Sequence, residues 1–96
     1  MNKVVIVTGA SRGIGAATAK KLAEQGYAVC ANYRAQSEAA HQVVRDIQAN
    51  GGKAIAVQAD VSDEQQVLNL FDATENALGS VTHLVNNVGI LFTQSP

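Results

Sequence analysis

Thr8-Gly9-Ala10-Ser11-Arg12-Gly13-Ile14-Gly15 is the stretch that decides how the chain folds. Ahead of it stands Val4-Val5-Ile6-Val7, wholly apolar and β-branched, the composition of a strand buried on both faces of a parallel sheet. Behind it a helical pattern begins, so the three glycines occupy a strand-to-helix turn. Glycine permits a sharp backbone turn and lets another atom approach where a Cβ would collide. The first turn of the helix offers unpaired N–H groups and the positive end of its dipole, which together favour a phosphate. Gly9 is expected to make the turn, Gly13 to admit a pyrophosphate and Gly15 to let the helix close on its strand. Ser11, Arg12 and Ile14 share the loop and count with the glycines as cofactor contacts. The competing reading is a tight turn that binds nothing. The strand before and the helix after favour a dinucleotide site.

Working outward, helical spacing from about Gly13 carries Ile14, Ala17, Leu22 and Ala23 toward one face, and Gly26 follows as a left-handed stop. Ala28 to Asn32 reads as a second buried strand. Ala40, Val43, Val44 and Ile47 fall at i, i+3, i+4 and i+7, which predicts a second helix with Ser37 at its start and Asn50-Gly51-Gly52 at its end. Ala54 to Val57 is the third strand. Ser62 with Gln65 has the spacing of a capping box, opening a helix that sets Val67, Leu70, Phe71, Thr74 and Leu78 on one side and stops at Gly79. Val81 to Asn87 is the fourth strand, and Gly89 to Pro96 carries no usable periodicity.

The order β-α-β-α-β-α-β predicts an α/β fold of the Rossmann type. Its sheet is parallel and doubly wound, with right-handed crossovers and strands in the order 3-2-1-4. Ligands of such sheets bind beyond the carboxyl ends of the strands, at the switch point. Four segments converge there: the glycine turn, Asn32-Tyr33-Arg34, Asp60-Val61 and Asn86-Asn87-Val88-Gly89.

The glycine spacing is G-x-x-x-G-x-G rather than the common G-x-G-x-x-G, and no Gly-Lys-Ser/Thr follows to make a Walker loop. Thr8 to Gly15 resembles the T-G-x-x-x-G-I-G turn of the short-chain dehydrogenase/reductase family. Asp60-Val61 is similar to that family's acid-plus-apolar pair after strand 3. Asn86-Asn87-Val88-Gly89 resembles its N-N-A-G motif, with the larger Val88 in place of alanine. The resemblance runs from Val4 to Gly89. It implies that Asp60 bonds the adenine amino group, that Val61 packs on the ring, and that Asn87, Val88 and Gly89 lie along the cofactor ribose. Asp60 is also open to a reading as a residue of the helix start, two before Ser62.

The end of strand 2 points to the cofactor. NAD-binding turns usually have an acid about 20 residues on, accepting from the adenosine ribose. No acid stands between Gly26 and Gln36, and the strand ends in Asn32-Tyr33-Arg34. A carboxylate there would repel a 2′-phosphate, whereas a guanidinium holds one through two charge-assisted bonds. Arg34 is placed to do so and Arg12 to approach from the other side, against the plainer reading of two solvated surface arginines. NADP(H) is therefore expected in preference to NAD(H).

Composition narrows the rest. Ninety-six residues make one domain or part of one, and an apolar fraction of 47% argues against disorder. A net charge of −1 gives no reason to expect nucleic acid or an anionic membrane as partner, and no apolar run approaches the ~20 residues of a membrane span. The lone Cys30 lies in an apolar strand pattern, which suggests a reduced thiol and a cytoplasmic protein. No metal-spaced His/Cys set and no nucleophile–base arrangement stands out. His41 falls on a polar helix face, and His83 at the end of strand 4 opposite the ligand edge.

Members of the family named above move hydride between a nicotinamide cofactor and a carbonyl or alcohol. They use a serine and a Tyr-x-x-x-Lys pair that lie later in the chain than these motifs. Neither Tyr27 nor Tyr33 is followed by lysine at four residues. Residues 1–96 are therefore expected to be the dinucleotide-binding half of a single Rossmann domain, with no catalytic residue of their own and no turnover alone. They would belong to an NADP-dependent oxidoreductase that acts on a small molecule and assembles as a homo-oligomer. The alternatives are a non-catalytic dinucleotide-binding or interaction module, or a decayed gene product. An unprotected strand 4 edge favours the first reading. The glycine turn and the Asn-Tyr-Arg strand end are most similar to bacterial 3-oxoacyl-carrier-protein reductases and sugar dehydrogenases. That likeness does not fix a substrate.

Overall fold

In the computed structural model, residues 3–88 are described, and Gly89 and the tail to Pro96 lie outside them. Strands β1 (Val4–Val7), β2 (Ala28–Tyr33), β3 (Lys53–Gln58) and β4 (His83–Val85) alternate with helices α1 (Gly13–Glu24), α2 (Ser37–Ala49) and α3 (Glu64–Leu78). The sheet runs β3-β2-β1-β4 and every pair is parallel. β1 lies central, with Ile6 opposite Cys30 on one side and Leu84 on the other.

Alternation along the central strands builds two cores. Val5, Val7, Val29 and Ala31 face α1 and α2, where Ala19, Val43, Val44 and Ile47 close over them. Ile6 and Cys30 point the other way and meet Leu70 of α3 with Ala59 and Val61. A strand buried on both faces has no use for polar residues, which is why β1 is four consecutive apolar side chains. Full burial of each such side chain contributes roughly 1.5–3 kcal/mol.

The local departures from expectation each have a cause. On α1 Leu22 and Ala23 pack on the core as expected, but the fully buried positions are Gly15 and Ala19, while Ile14 is 79% exposed and Ala17 is exposed. Gly15 has no side chain, so it anchors the packed face without leaving a trace in hydropathy. Helix α2 begins with Ser37 as a helical residue after Gln36, and neither makes a side-chain cap to the backbone. Helix α3 is capped by Asp63, not Ser62: the Asp63 carboxylate accepts from the N–H groups of Gln65 and Gln66 at 2.9 and 3.3 Å. The Ser62 hydroxyl is already engaged by Asp60. Strand β4 is shorter than the expected Val81 to Asn87: its three residues pair with Val5, Ile6 and Val7 of the four-residue β1.

Candidate functional site

The carboxyl ends of the strands open into a cleft of about 990 Å³. It is bordered by the β1–α1 turn, the end of β2, the segment after β3 and the segment after β4. A second hollow, of about 300 Å³, lies at the opposite edge beside Lys3, Tyr27 and Lys53 and holds none of the expected site residues.

The turn is shaped by its glycines. Gly9 and Gly13 adopt φ of +61° and +62°, the left-handed region that side chains resist. A Cβ on Gly15 would collide with the Gly9 carbonyl oxygen, so α1 approaches β1 only because that position is bare. Nothing lies within 4 Å of where a Cβ on Gly13 would stand. Arg12 is the N-cap of α1, with no side-chain cap bond, and a guanidinium has no acceptor with which to cap. The first-turn N–H groups of α1 therefore receive no acceptor from their N-cap side chain, in contrast to α3, where Asp63 supplies one. Ala10 N–H donates to the Asn32 carbonyl at 2.9 Å and ties the turn to the end of β2.

Thr8, fully buried, fastens the other flank. Its hydroxyl donates to Asn86 Oδ1 at 2.8 Å and accepts from Asn87 N–H at 2.9 Å. Asn87 Nδ2 donates to the Thr8 carbonyl at 3.3 Å, and Val88 N–H donates to Asn86 Oδ1 at 3.1 Å. These bonds hold Val88 over the turn, its Cγ1 3.0 Å from where a Cβ on Gly9 would stand. Thr8 was not among the expected site residues, although its place directly before the first glycine marked it.

At the far side, Asn32 is 2% exposed, and its amide donates to the carbonyls of Val57 and Ala59 at 3.3 and 3.2 Å. Its side chain braces β2 against the exit from β3. Arg34 lies beyond it, its side chain 78% exposed, with Nη2 3.6 Å from Asp60 Oδ2. Asp60 Oδ1 accepts from Ser62 N–H at 3.0 Å and from Ser62 Oγ at 2.6 Å. Those bonds, followed by the charge of Arg34, hold its carboxyl below the usual carboxylate range. Gln66 Oε1 accepts from Asp60 N–H at 2.7 Å.

Of the residues singled out by sequence, Gly9, Ser11, Arg12, Gly13, Ile14, Gly15, Asn32, Arg34, Asp60, Val61, Asn87 and Val88 all border this cleft. The exposed Ile14 borders it too, which accounts for an apolar residue left out of the core. Tyr33 does not: its side chain turns to the other side of β2 and packs edge-on against His41, ring centroids 6.0 Å apart. Gly89 lies outside the described residues. Ala35, Gln36, Ala59 and Ser62 join the border without having been expected. The pair Asp60 and Ser62, two residues apart, was the available signal for the last. His41 and His83 both lie away from the cleft. Among the described residues no group of three His, Cys, Asp or Glu is placed to hold a metal. Among the described residues no helix is long and apolar enough to cross a membrane.

A family model described as short chain dehydrogenase matches residues 3–96. An uncharacterized oxidoreductase of Escherichia coli, YgfF, is 50% identical over 91 residues, 95% of this chain and 37% of that protein. The 3-oxoacyl-[acyl-carrier-protein] reductase FabG of Staphylococcus epidermidis is 46% identical over 94% of this chain and 37% of its own length. Among solved structures, a hydroxysteroid dehydrogenase from Escherichia coli superposes with a TM-score of 0.85 at 40% identity, covering 91% of this chain and 37% of that one. A dehydrogenase/reductase from Sinorhizobium meliloti 1021 gives 0.87 at 45% identity, covering 92% and 35%. The chain thus spans little more than a third of the length of these relatives.

Proposed function

The chain belongs to the short-chain dehydrogenase family, and on that premise we propose that it is the NADP(H)-binding half of an oxidoreductase that reduces carbonyls or oxidises alcohols. The cofactor, when bound, supplies or accepts the hydride. This chain's own residues bind and orient it. The uncapped N–H groups at the start of α1 and the open face of Gly13 suit a pyrophosphate, which is anionic and needs close backbone approach. The buried Val61 offers an apolar wall for the adenine, and Asp60 an acceptor for its amino group. Arg34, with Arg12 lining the same cleft, takes the 2′-phosphate.

The observation that carries this reading is the placement of Arg34 at the β2 end of the cleft, where an NAD-binding site would set a carboxylate. The names of the relatives, a 3-oxoacyl-[acyl-carrier-protein] reductase and a hydroxysteroid dehydrogenase, support a carbonyl or alcohol as substrate. We further propose a cytoplasmic homo-oligomer with neither nucleic acid nor membrane as partner. We expect no turnover from residues 1–96 alone, since an alkoxide formed by hydride transfer needs a tuned proton donor. The arginines of the cleft cannot give up a proton and Asp60 is ionised at neutral pH.

The test is Arg34→Asp in the full-length protein, which removes the phosphate clamp and supplies a ribose acceptor. NADPH affinity should fall and NADH affinity rise. Equal affinities for the two cofactors, unchanged by the substitution, would reject the assignment.

A further inference from the structure

The contact between Arg34 and Asp60 joins a fixed anion to a movable cation. Asp60 is held from three directions: Ser62 N–H and Ser62 Oγ occupy Oδ1, and Gln66 binds its backbone N–H. Only Oδ2 is left to face Arg34. Arg34 is anchored at its backbone, where Gln58 Nε2 donates to its carbonyl at 3.1 Å, but its side chain is 78% exposed. At 3.6 Å and in solvent the pair is weak, so the guanidinium is free to leave. A phosphate dianion offers it paired acceptors and more charge than the single carboxylate oxygen does.

We propose that Asp60 sets the strength of 2′-phosphate recognition by acting as an internal competitor for Arg34: the carboxylate holds the guanidinium in the free protein, and the phosphate must displace it. This rests on the NADP(H) reading above and gives Asp60 a specificity-determining role separate from any contact with adenine. Both cofactors carry the same adenine, so loss of that contact weakens both alike and cancels in their ratio. Loss of the competition strengthens only the phosphorylated one.

Asp60→Asn isolates the effect. The amide oxygen still accepts from Ser62, and an uncharged NH₂ replaces the oxygen that faces Arg34. Dissociation constants for NADPH and NADH would be measured by titration on four full-length proteins: the parent, Asp60→Asn, Arg34→Gln and the double variant. The expected result is a NADPH preference in the parent that rises about 1.5-fold to fivefold in Asp60→Asn, the range set by an exposed ion pair. The preference should be lost in Arg34→Gln, with no rise when Asp60→Asn is added. A preference lost in Arg34→Gln but unchanged or lowered in Asp60→Asn would overturn the competition and leave the cofactor reading standing. An equal rise with and without Arg34 would also overturn it, since the carboxylate would then act on the phosphate directly. No preference in the parent and no effect of Arg34→Gln would mean that the cofactor reading had failed and the competition with it.

Discussion

Thr8→Val removes one hydroxyl from the seam between β1 and the segment after β4 while nearly keeping the shape of the side chain. Three contacts disappear: the bond donated to Asn86 Oδ1 at 2.8 Å, a long one to the Val85 carbonyl at 3.5 Å and the one accepted from Asn87 N–H at 2.9 Å. A hydrogen bond of this kind contributes about 1 kcal/mol net, and a buried group left without a partner costs about 1–3 kcal/mol. Here the orphans are not stranded. Asn86 Oδ1 keeps the Val88 N–H at 3.1 Å, and Asn87 is exposed enough to find water. The loss of stability should therefore lie near ~1–2 kcal/mol rather than at the upper end. Urea denaturation of the full-length protein measures it, provided the slope of the transition is unchanged. Because the same bonds hold Val88 over Gly9, the variant should also bind NADPH more weakly. Thr8→Ser keeps the hydroxyl and should recover that affinity. A stability change below about 0.3 kcal/mol in Thr8→Val, or equal loss of binding in Thr8→Ser, would refute the role given to this hydroxyl.

Two further expectations concern the turn and the core. Gly13→Ala meets no atom but forces a side chain into a φ of +62°, a strain of about 1–2 kcal/mol. Gly15→Ala drives its Cβ into the Gly9 carbonyl and should destabilise the protein more. Comparing their thermal midpoints, an equal or smaller loss in Gly15→Ala would show that α1 is not seated against β1 in this way. Cys30, buried with its Sγ near Thr74, is pushed up from 9.0 to about 11 by burial. Folding thus holds the thiol proton more tightly. The resulting stability is complete below the unfolded value and is lost as pH rises toward and through 11. At pH 8 the thiol should resist an alkylating reagent in the native protein and react at once in urea; fast native labelling would contradict its burial.

The strand order, both core faces and most of the cleft were legible in the sequence because apolar runs and glycine positions carry them directly. What stayed hidden depends on neighbours in space. On α1 the close approach at Gly15 and the packing of Leu22 and Ala23 were legible, but Ile14 and Ala17 stay exposed because the face of the first turns is set by the bare Gly15 rather than by apolar side chains. The cap of α3 went to Asp63 because Ser62 is drawn to Asp60, a choice between adjacent cap-forming residues that local spacing does not resolve. Asn32 borders the cleft, but the bracing of its amide on the Val57 and Ala59 carbonyls was hidden, since those carbonyls come within reach only once β3 is paired with β2. The Arg34–Asp60 contact likewise joins the ends of two strands far apart in the chain.

A crystal structure of the full-length protein grown with NADPH would show directly whether this cleft holds the dinucleotide. The pyrophosphate is expected against the N–H groups at the start of α1, over Gly13, with the 2′-phosphate within hydrogen-bonding distance of the Arg34 guanidinium and Asp60 Oδ2 released from it. Density for the cofactor elsewhere, or a 2′-phosphate turned away from Arg34 with the Arg34–Asp60 pair intact, would contradict it.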